Sequence, residues 1–143
     1  MTTMKRMKTA AVAAAIAAVT AMGSAPAEAV PSGTCDMGYG ALSICEYGVT
    51  QRHFPGGVEQ FIIGSDYAVW TRWHYDDSPT LQWSNWTSLG GIARSEVFLE
   101  GERDDGSFIT RMTIVGTDGR AWQRVRPRIG ASWTGWDLAP ATA

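Results

Sequence analysis

The chain has 143 residues, of which 45% are hydrophobic and 18% are charged, and this composition excludes a largely disordered protein. Its 14 acidic residues slightly outnumber its 12 basic ones, giving a formal net charge of −2. Because no basic run follows the first eight residues, we do not expect nucleic acid or an anionic membrane surface as a partner. The length suits a single domain.

Residues 1–29 have the three parts of a secretory signal peptide. A short basic segment over 4–8 precedes an alanine-rich apolar stretch over 9–22, and Ala27-Glu28-Ala29 is an A-x-A cleavage signature. The uninterrupted apolar run is shorter than the roughly 20 residues that span a bilayer. The sequence therefore predicts a secreted protein that begins near Val30 and has no membrane segment once the leader is removed.

Cys35 and Cys45 are the only cysteines of the chain. In an oxidising compartment an even number of cysteines predicts a disulfide. The bridge would close a loop of about ten residues and stabilise the fold by about 2–3 kcal/mol in the chain-entropy model. Two cysteines without a neighbouring histidine cannot complete a tetrahedral zinc site, so we expect one disulfide, no metal and no cofactor.

Short alternating or β-branched runs between turn signals predict an all-β protein with eight strands. In chain order, the predicted strands cover 42–47, 58–63, 68–74, 81–89, 96–100, 107–115, 120–125 and 132–138. Glycine recurs at short intervals and no window shows sustained apolar residues at helical spacing, so helices are not expected.

An internal repeat organises these strands and contains all seven tryptophans of the chain. Residues 63–72 read IGSDYAVWTR and residues 115–124 read VGTDGRAWQR. Each is followed by a second match, WSNW over 83–86 and WTGW over 133–136. One unit is therefore an apolar residue, Gly, Ser or Thr, Asp, three variable residues, Trp, one residue and Arg, then a loop and a W-[ST]-x-W motif.

Each unit is predicted to form a four-stranded antiparallel meander. Gly and Asp suit the tight turn between the second and third strands, since Gly allows positive φ and Asp caps backbone amides. The Trp after this turn lies on the third strand, and the W-[ST]-x-W motif marks the fourth. Repeats of about 50 residues built from four strands are typical of propeller blades.

This pattern, as in Gly116-Thr117-Asp118 and Trp122 followed by Trp133-Thr134-Gly135-Trp136, resembles the blades of secreted bacterial β-propeller lectins. The fucose-binding seven-bladed lectins are most similar, and tectonin-like propellers are more distant. The resemblance covers residues 58–138. It implies a non-enzymatic, carbohydrate-binding propeller with ligand pockets between adjacent blades, and it implies glycans as partners, with a fucose-type sugar among them.

The resemblance also implies how the mature chain is organised. Its parts are a disulfide-containing segment with an irregular first strand (30–57), two propeller-like repeats (58–89 and 94–138) and a tail (139–143). Two blades cannot close a propeller, and related two-bladed lectins close theirs by oligomerising, so we expect a homo-oligomer, first of all a trimer of six blades. Tyr67 stands where the second repeat has Gly119, which leaves open whether the two turns share one geometry.

Sugar binding needs flat apolar faces for the C–H groups of a pyranose ring and planar polar groups for its hydroxyls. Strand alternation places Trp70 and Arg72 on one face of their strand, and Trp122 and Arg124 repeat this arrangement. Trp73 lies on the opposite face. The predicted carbohydrate-binding residues are therefore Trp70, Arg72, Trp73, Trp122 and Arg124.

Packing between blades is the alternative role of these tryptophans. Propeller blades are covered on both faces, so any one of the indoles could belong to the core instead of a ligand platform. Trp86 and Trp136, which close the two W-[ST]-x-W motifs, are favoured as core residues.

Catalytic signatures are missing from the sequence. No G-x-S-x-G, H-E-x-x-H or cysteine–histidine arrangement occurs, and the two histidines, His53 and His74, are expected at the surface or in turns. Asp76-Asp77 and Asp104-Asp105 lie beside glycine, serine or proline, which favours turns over a glycosidase pair or a calcium site. An enzyme is not expected.

The sequence thus predicts a secreted, lectin-like module of two propeller-type blades. A first alternative is a secreted inhibitor or protein-interaction module without enzymatic activity, acting through the loop 103–106 or the segment around Arg52. A second alternative is a remnant of a larger propeller that binds no ligand.

Overall fold

Short β-strands dominate the described residues, 33–80, 82–101 and 109–141 of a computed structural model. The strands are β1 Thr34–Asp36, β2 Leu42–Ile44, β3 Thr50–Phe54, β4 Gly57–Ile63, β5 Val69–Tyr75, β6 Thr87–Gly90, β7 Phe98–Glu100, β8 Thr110–Val115, β9 Ala121–Arg126 and β10 Asp137–Leu138. A 3-10 turn, Cys45–Tyr47, follows β2. No helix in these ranges is long and apolar enough to cross a membrane. The leader predicted over 1–29 lies outside the described residues.

Eight of the described strands form two four-stranded antiparallel sheets. Strands β3, β4, β5 and β6 lie side by side in chain order, and β7, β8, β9 and β10 do the same. We call these sheet 1 and sheet 2. The all-β class and the four-stranded antiparallel meanders predicted from the sequence are confirmed.

Strand β3 is absent from the predicted strands. Its sequence, TQRHF, has no apolar run to mark it. It becomes a strand because it pairs along its whole length with β4, from Thr50 opposite Phe61 to Phe54 opposite Gly57. The strand predicted over 42–47 is shorter than expected, because the chain enters the 3-10 turn after Ile44.

The fourth strand of each sheet begins several residues later than predicted. The preceding W-[ST]-x-W segments are tied to the third strand through one hydroxyl residue each. Ser84 donates its N–H to Trp73 O at 2.8 Å and accepts the Trp73 N–H on its hydroxyl at 3.0 Å. Thr134 bonds to Val125 in the same way, at 2.9 Å in both directions. In a regular sheet a backbone carbonyl would accept the third-strand N–H, but here a side-chain hydroxyl accepts it. These segments are therefore extended without continuing the sheet.

The N-terminal segment forms a separate two-stranded hairpin of β1 and β2. Cys35 and Cys45 form the predicted disulfide, with Cα atoms 5.2 Å apart, and such a bond indicates an oxidising environment. The Ser65 N–H donates to Leu42 O at 2.9 Å, so the hairpin is joined to the turn that follows β4.

One hydrophobic cluster joins the two sheets. Phe61 and Val69 of sheet 1 are buried together with Met112 and Ile114 of sheet 2. Met112 and Ile114 are alternate residues of β8, as expected where one face of a strand packs against a neighbouring layer. The Trp133 ring meets the Phe61 ring edge-on, with centroids 6.1 Å apart.

A buried ion pair joins the sheets at the same interface. Arg126 on β9 donates to both carboxylate oxygens of Glu59 on β4, at 3.0 and 2.6 Å, and the two side chains are 6% and 3% exposed. Thr71 donates a further bond to Glu59 at 3.3 Å, and the Arg126 guanidinium lies over the Trp133 ring at 4.4 Å. Since both charges have lost water, each depends on the other.

Arg126→Met is expected to lower the free energy of unfolding by about 3–5 kcal/mol, because the Glu59 carboxylate stays buried without its partner. The double variant Glu59→Met/Arg126→Met is the control, and we expect its stability to match or exceed that of the natural chain. Urea denaturation measures both. Equal losses in the single and double variants would contradict a charge-pair role.

Candidate functional site

Each repeat contains the same clamp between an aspartate and a tryptophan. Asp66 Oδ1 accepts the Trp70 indole N–H at 3.0 Å and the backbone N–H two residues onward at 3.1 Å. Asp118 Oδ1 accepts the Trp122 indole N–H at 3.1 Å and the equivalent backbone N–H at 3.0 Å. We call this arrangement the Asp–Trp clamp. It holds the indole of the third strand against the turn that precedes it.

The glycine of the repeat leaves room for this clamp. A Cβ atom on Gly64 would lie 2.6 Å from Trp70 Nε1, and a Cβ atom on Gly116 would lie 2.8 Å from Trp122 Cδ1. Both distances are far below van der Waals contact, so any larger residue would displace the indole. Close approach therefore explains why both repeats have Gly here.

The two turns share one geometry although Tyr67 stands in place of Gly119. Both residues have positive φ, 65° and 73°, and both donate their N–H to the carbonyl of the repeat glycine, at 2.8 and 3.1 Å. A left-handed tyrosine costs roughly 1–2 kcal/mol. The Arg94 guanidinium, 4.2 Å from the centre of the Tyr67 ring, offsets part of this cost.

Two equivalent cavities open beside the clamps. The first pocket has a volume of about 230 Å³ and the second of about 250 Å³. The second is lined by Gly91, Ile92, Ile114, Gly116, Thr117, Asp118, Trp122 and Trp136. All eight positions recur in the lining of the first pocket, seven of them 52 residues earlier and the last, Trp86, 50 residues earlier. The repeat therefore builds the same pocket twice.

Exposed hydrophobic side chains mark the rim of each pocket. Tyr39 is 60% exposed and Leu42 is also exposed in the first pocket, and Ile92 is 57% exposed in the second. The counterparts differ, since Tyr39 corresponds to Gly91 and Ile92 to Gly40. Exposed apolar surface beside a concave site is typical of binding surfaces.

Two indoles line each pocket. Trp70 and Trp122, which the sequence predicts as binding residues, are joined there by Trp86 and Trp136, which it favours as core. Trp86 is only 9% exposed, so it is both buried and part of the wall. The Trp136 indole donates to Leu89 O at 2.9 Å, whereas the Trp86 indole finds no acceptor among the described residues.

The two predicted binding arginines bond to backbone carbonyls. Arg72 Nη1 donates to Met37 O at 3.1 Å, and Arg124 Nη1 donates to Leu89 O. Burial lowers the pKa of both guanidinium groups. Arg72 also lies over the Trp86 ring at 4.5 Å. Since Met37 and Leu89 stand just before the loops that line the pockets, the arginines hold those loops in place.

Trp73 lines a third cavity of about 240 Å³, together with residues of both sheets. Glu59, Arg126 and Trp133 also line it. The buried Arg126 Nε has no hydrogen-bond partner in the described part of the chain. The second pocket also combines residues that follow sheet 1, Gly91 and Ile92, with residues of sheet 2.

The loop that lines the first pocket also belongs to the repeat, although it lies before the repeat motif that begins at Ile63. Residues 38–43 read GYGALS and residues 90–95 read GGIARS, a G-x-x-A-x-S match 52 positions apart. The N–H of the first glycine donates to Asp36 Oδ1 at 2.8 Å in one copy and to Ser88 Oγ at 3.2 Å in the other. The only signal in the sequence was three matching residues in a glycine-rich segment.

No protein-family model matches the chain, and no curated protein matches it in sequence. Over 33–80, 82–101 and 109–141, no group of three or more His, Cys, Asp or Glu side chains is placed to hold a metal ion. Function is therefore inferred from the geometry of the pockets.

Acidification is expected to open the clamp of sheet 2 only at very low pH. The Arg120 backbone N–H, then the Trp122 indole and the Arg120 guanidinium, donate to Asp118 and lower its pKa from 3.8 to about 2. Because the folded-state pKa is depressed, the stabilisation is complete above the unfolded value and is lost as the pH falls through about 2. The NMR signal of the Trp122 indole N–H should keep its position until that range.

Asp118→Asn is the matched control for this titration. Its amide oxygen can accept the two bonds made by Oδ1, from the Arg120 backbone N–H and the Trp122 indole, whereas the bond from Arg120 Nε to Oδ2 is lost. The amide does not titrate in this range, so the indole signal should stay constant throughout. A signal of the natural chain that already moves near pH 4, close to the ordinary value of 3.8, would contradict the clamp.

Proposed function

We propose that the chain is a secreted, lectin-like protein that binds carbohydrate in the first and second pockets. One observation carries the proposal: eight repeat positions, spread over about 50 residues of sequence, build the same open pocket twice. Packing would explain the recurring tryptophans and the clamp explains the carboxylate, but neither requires a hydroxyl and a second glycine-rich loop around a cavity. The leader pattern and the disulfide support secretion.

The lining has the chemistry that a sugar ring needs. In the first pocket, Trp70 offers flat apolar surface to ring C–H groups, and the largely buried Trp86 contributes a smaller part of the wall. The Ser65 hydroxyl and the Asp66 carboxylate offer hydrogen bonds to sugar hydroxyls. The second pocket differs at these four positions only by threonine in place of serine.

The size of the pockets favours a single sugar residue. Volumes of about 230 and 250 Å³ lie below the roughly 300–1,000 Å³ of sites that take drug-sized ligands. The resemblance to fucose-binding lectins supports a fucose-type sugar. Two sites on one chain would raise the avidity for a surface that displays many copies of the sugar.

Non-enzymatic binding is part of the proposal. The His53 ring lies 3.4 Å from the Gln51 side-chain amide at the surface, and the His74 ring packs edge-on against Trp83 at 4.5 Å. Asp76 and Asp77 lie in a turn just after β5. These contacts are those of surface, packing and turn residues.

The inhibitor alternative relies on two candidate loops. Arg52 lies within β3 and donates to Thr110 on β8, so the segment around it is part of a sheet and does not protrude. The other candidate, 103–106, lies outside the described residues. The described geometry therefore gives no support to an inhibitory loop around Arg52.

Tyr39→Gly tests the first pocket. Tyr39 has a φ of 53° and its counterpart Gly91 a φ of 79°, so glycine suits this backbone, and the melting temperature should stay unchanged or rise. Loss of the exposed aromatic ring should weaken sugar binding by about 1–3 kcal/mol, or roughly 5- to 150-fold. A glycan array selects the sugar, and calorimetric titration measures the affinity.

Phe98→Ala is the control, because it removes a similarly exposed aromatic ring on β7 outside the described lining of both pockets. It should leave sugar binding unchanged. If Tyr39→Gly binds as tightly as the natural chain, the first pocket is not the site. Lost binding in Trp73→Ala alone would then move the sugar to the cavity between the sheets.

Ring closure by several copies stays a prediction. Head-to-tail contact between three chains would bring six sheets together, which is enough for a closed propeller. Light scattering on the mature protein at micromolar concentration should give three times the mass of one chain. A stable, soluble monomer would contradict the ring.

A further inference from the structure

The first pocket takes one wall from the disulfide-linked hairpin. Tyr39 and Leu42, on its rim, belong to the turn and second strand of the β1–β2 hairpin, which Cys35 and Cys45 cross-link. The equivalent wall of the second pocket directly follows β6 of sheet 1. The two pockets therefore have equivalent lining residues, but one wall of the first is part of the β1–β2 hairpin and the equivalent wall of the second follows sheet 1.

The difference lies in the strand that leads into each wall. In the second pocket this strand is β6, which pairs with β5 inside a four-stranded sheet. In the first pocket the equivalent strand is β1, which pairs with β2 in a two-stranded hairpin. A two-stranded hairpin on its own is marginally stable in water, and this one is joined to sheet 1 by a bridge between Ser43 and Gly64 and by the buried Ile44. The covalent cross-link thus adds to the hairpin part of the order that full strand pairing supplies in the second pocket.

We propose that the Cys35–Cys45 disulfide controls the first pocket alone, so that the oxidised chain has two sugar sites of full affinity and the reduced chain has one. This inference rests on the proposed function. Cys35 is exposed, so a dithiol reductant can reach the bond. Reduction breaks the S–S bond, adds two electrons and two protons to give two thiols, and oxidises the dithiol to its own disulfide.

Several contacts with the rest of the fold still hold the hairpin after reduction. They are the Ser65 N–H bond to Leu42 O, the Arg72 bond to Met37 O, the bridge between Ser43 and Gly64, and the burial of Ile44 in the core cluster. They keep part of the population in the binding-competent form, so the affinity of the first pocket falls by about tenfold or more without disappearing. The second pocket, whose wall is continuous with sheet 1, keeps its affinity.

NMR spectra of the ¹⁵N-labelled mature protein, recorded with and without excess dithiothreitol, test this control without any sugar. The indole N–H signals of Trp70 and Trp86 should move or broaden on reduction, while those of Trp122 and Trp136 stay in place. The inference is overturned if all four signals stay unchanged. It is equally overturned if all four collapse together, because the disulfide would then stabilise the whole fold.

Titration with methyl α-L-fucoside then counts the sites. Both indole pairs should respond in the oxidised chain. In the reduced chain the Trp122 and Trp136 pair should respond as before, and the Trp70 and Trp86 pair only at roughly tenfold higher sugar concentration or more. Cys35→Ser/Cys45→Ser is the matched control and should behave like the reduced chain with or without dithiothreitol. If this probe moves no indole of the oxidised chain, the result counts against the proposed function, whereas the reduction experiment still decides the role of the disulfide.

Discussion

A hydrogen bond from a tryptophan indole to an aspartate across a tight turn is the constraint that shapes both repeats. It sets the four-residue spacing between Asp66 and Trp70, and it explains the glycine before them, whose Cβ would collide with the indole. It also presents one indole at the start of the third strand, beside the open pocket. One bond thus accounts for the motif, the turn and part of the candidate site.

Hydrogen bonds from the repeat arginines connect the third strand of each sheet to the loop that lines its pocket. Arg72 lies over the Trp86 ring and bonds to the Met37 carbonyl, so the wall of the pocket, the fourth-strand motif and the loop depend on one guanidinium. Arg124 bonds to the Leu89 carbonyl in the second repeat. The arginine of the repeat therefore has a structural task whether or not it touches a sugar, and this explains why it accompanies the tryptophan.

The local parts of this design could be predicted from the sequence, because turn, spacing and meander depend on residues close together in the chain. Strand β3 could not, since TQRHF has no apolar pattern and becomes a strand only by pairing with β4. The hydrogen-bond partners of Arg72 and Arg124 could not be predicted from the sequence either. They are carbonyls 35 residues away, and a backbone carbonyl leaves no trace in the pattern of side chains.

The ion pair between the sheets constrains the addition of further repeat units to the chain. Arg111 stands 52 positions after Glu59, at the place on β8 where β4 carries the acceptor for Arg126. A gene duplication that appended another copy of the second unit would set the new copy of Arg126 against Arg111, two cations at a contact that excludes water. A further unit packed in the same way would therefore require an acidic residue in place of Arg111, which in this chain pairs with Glu100 at the surface.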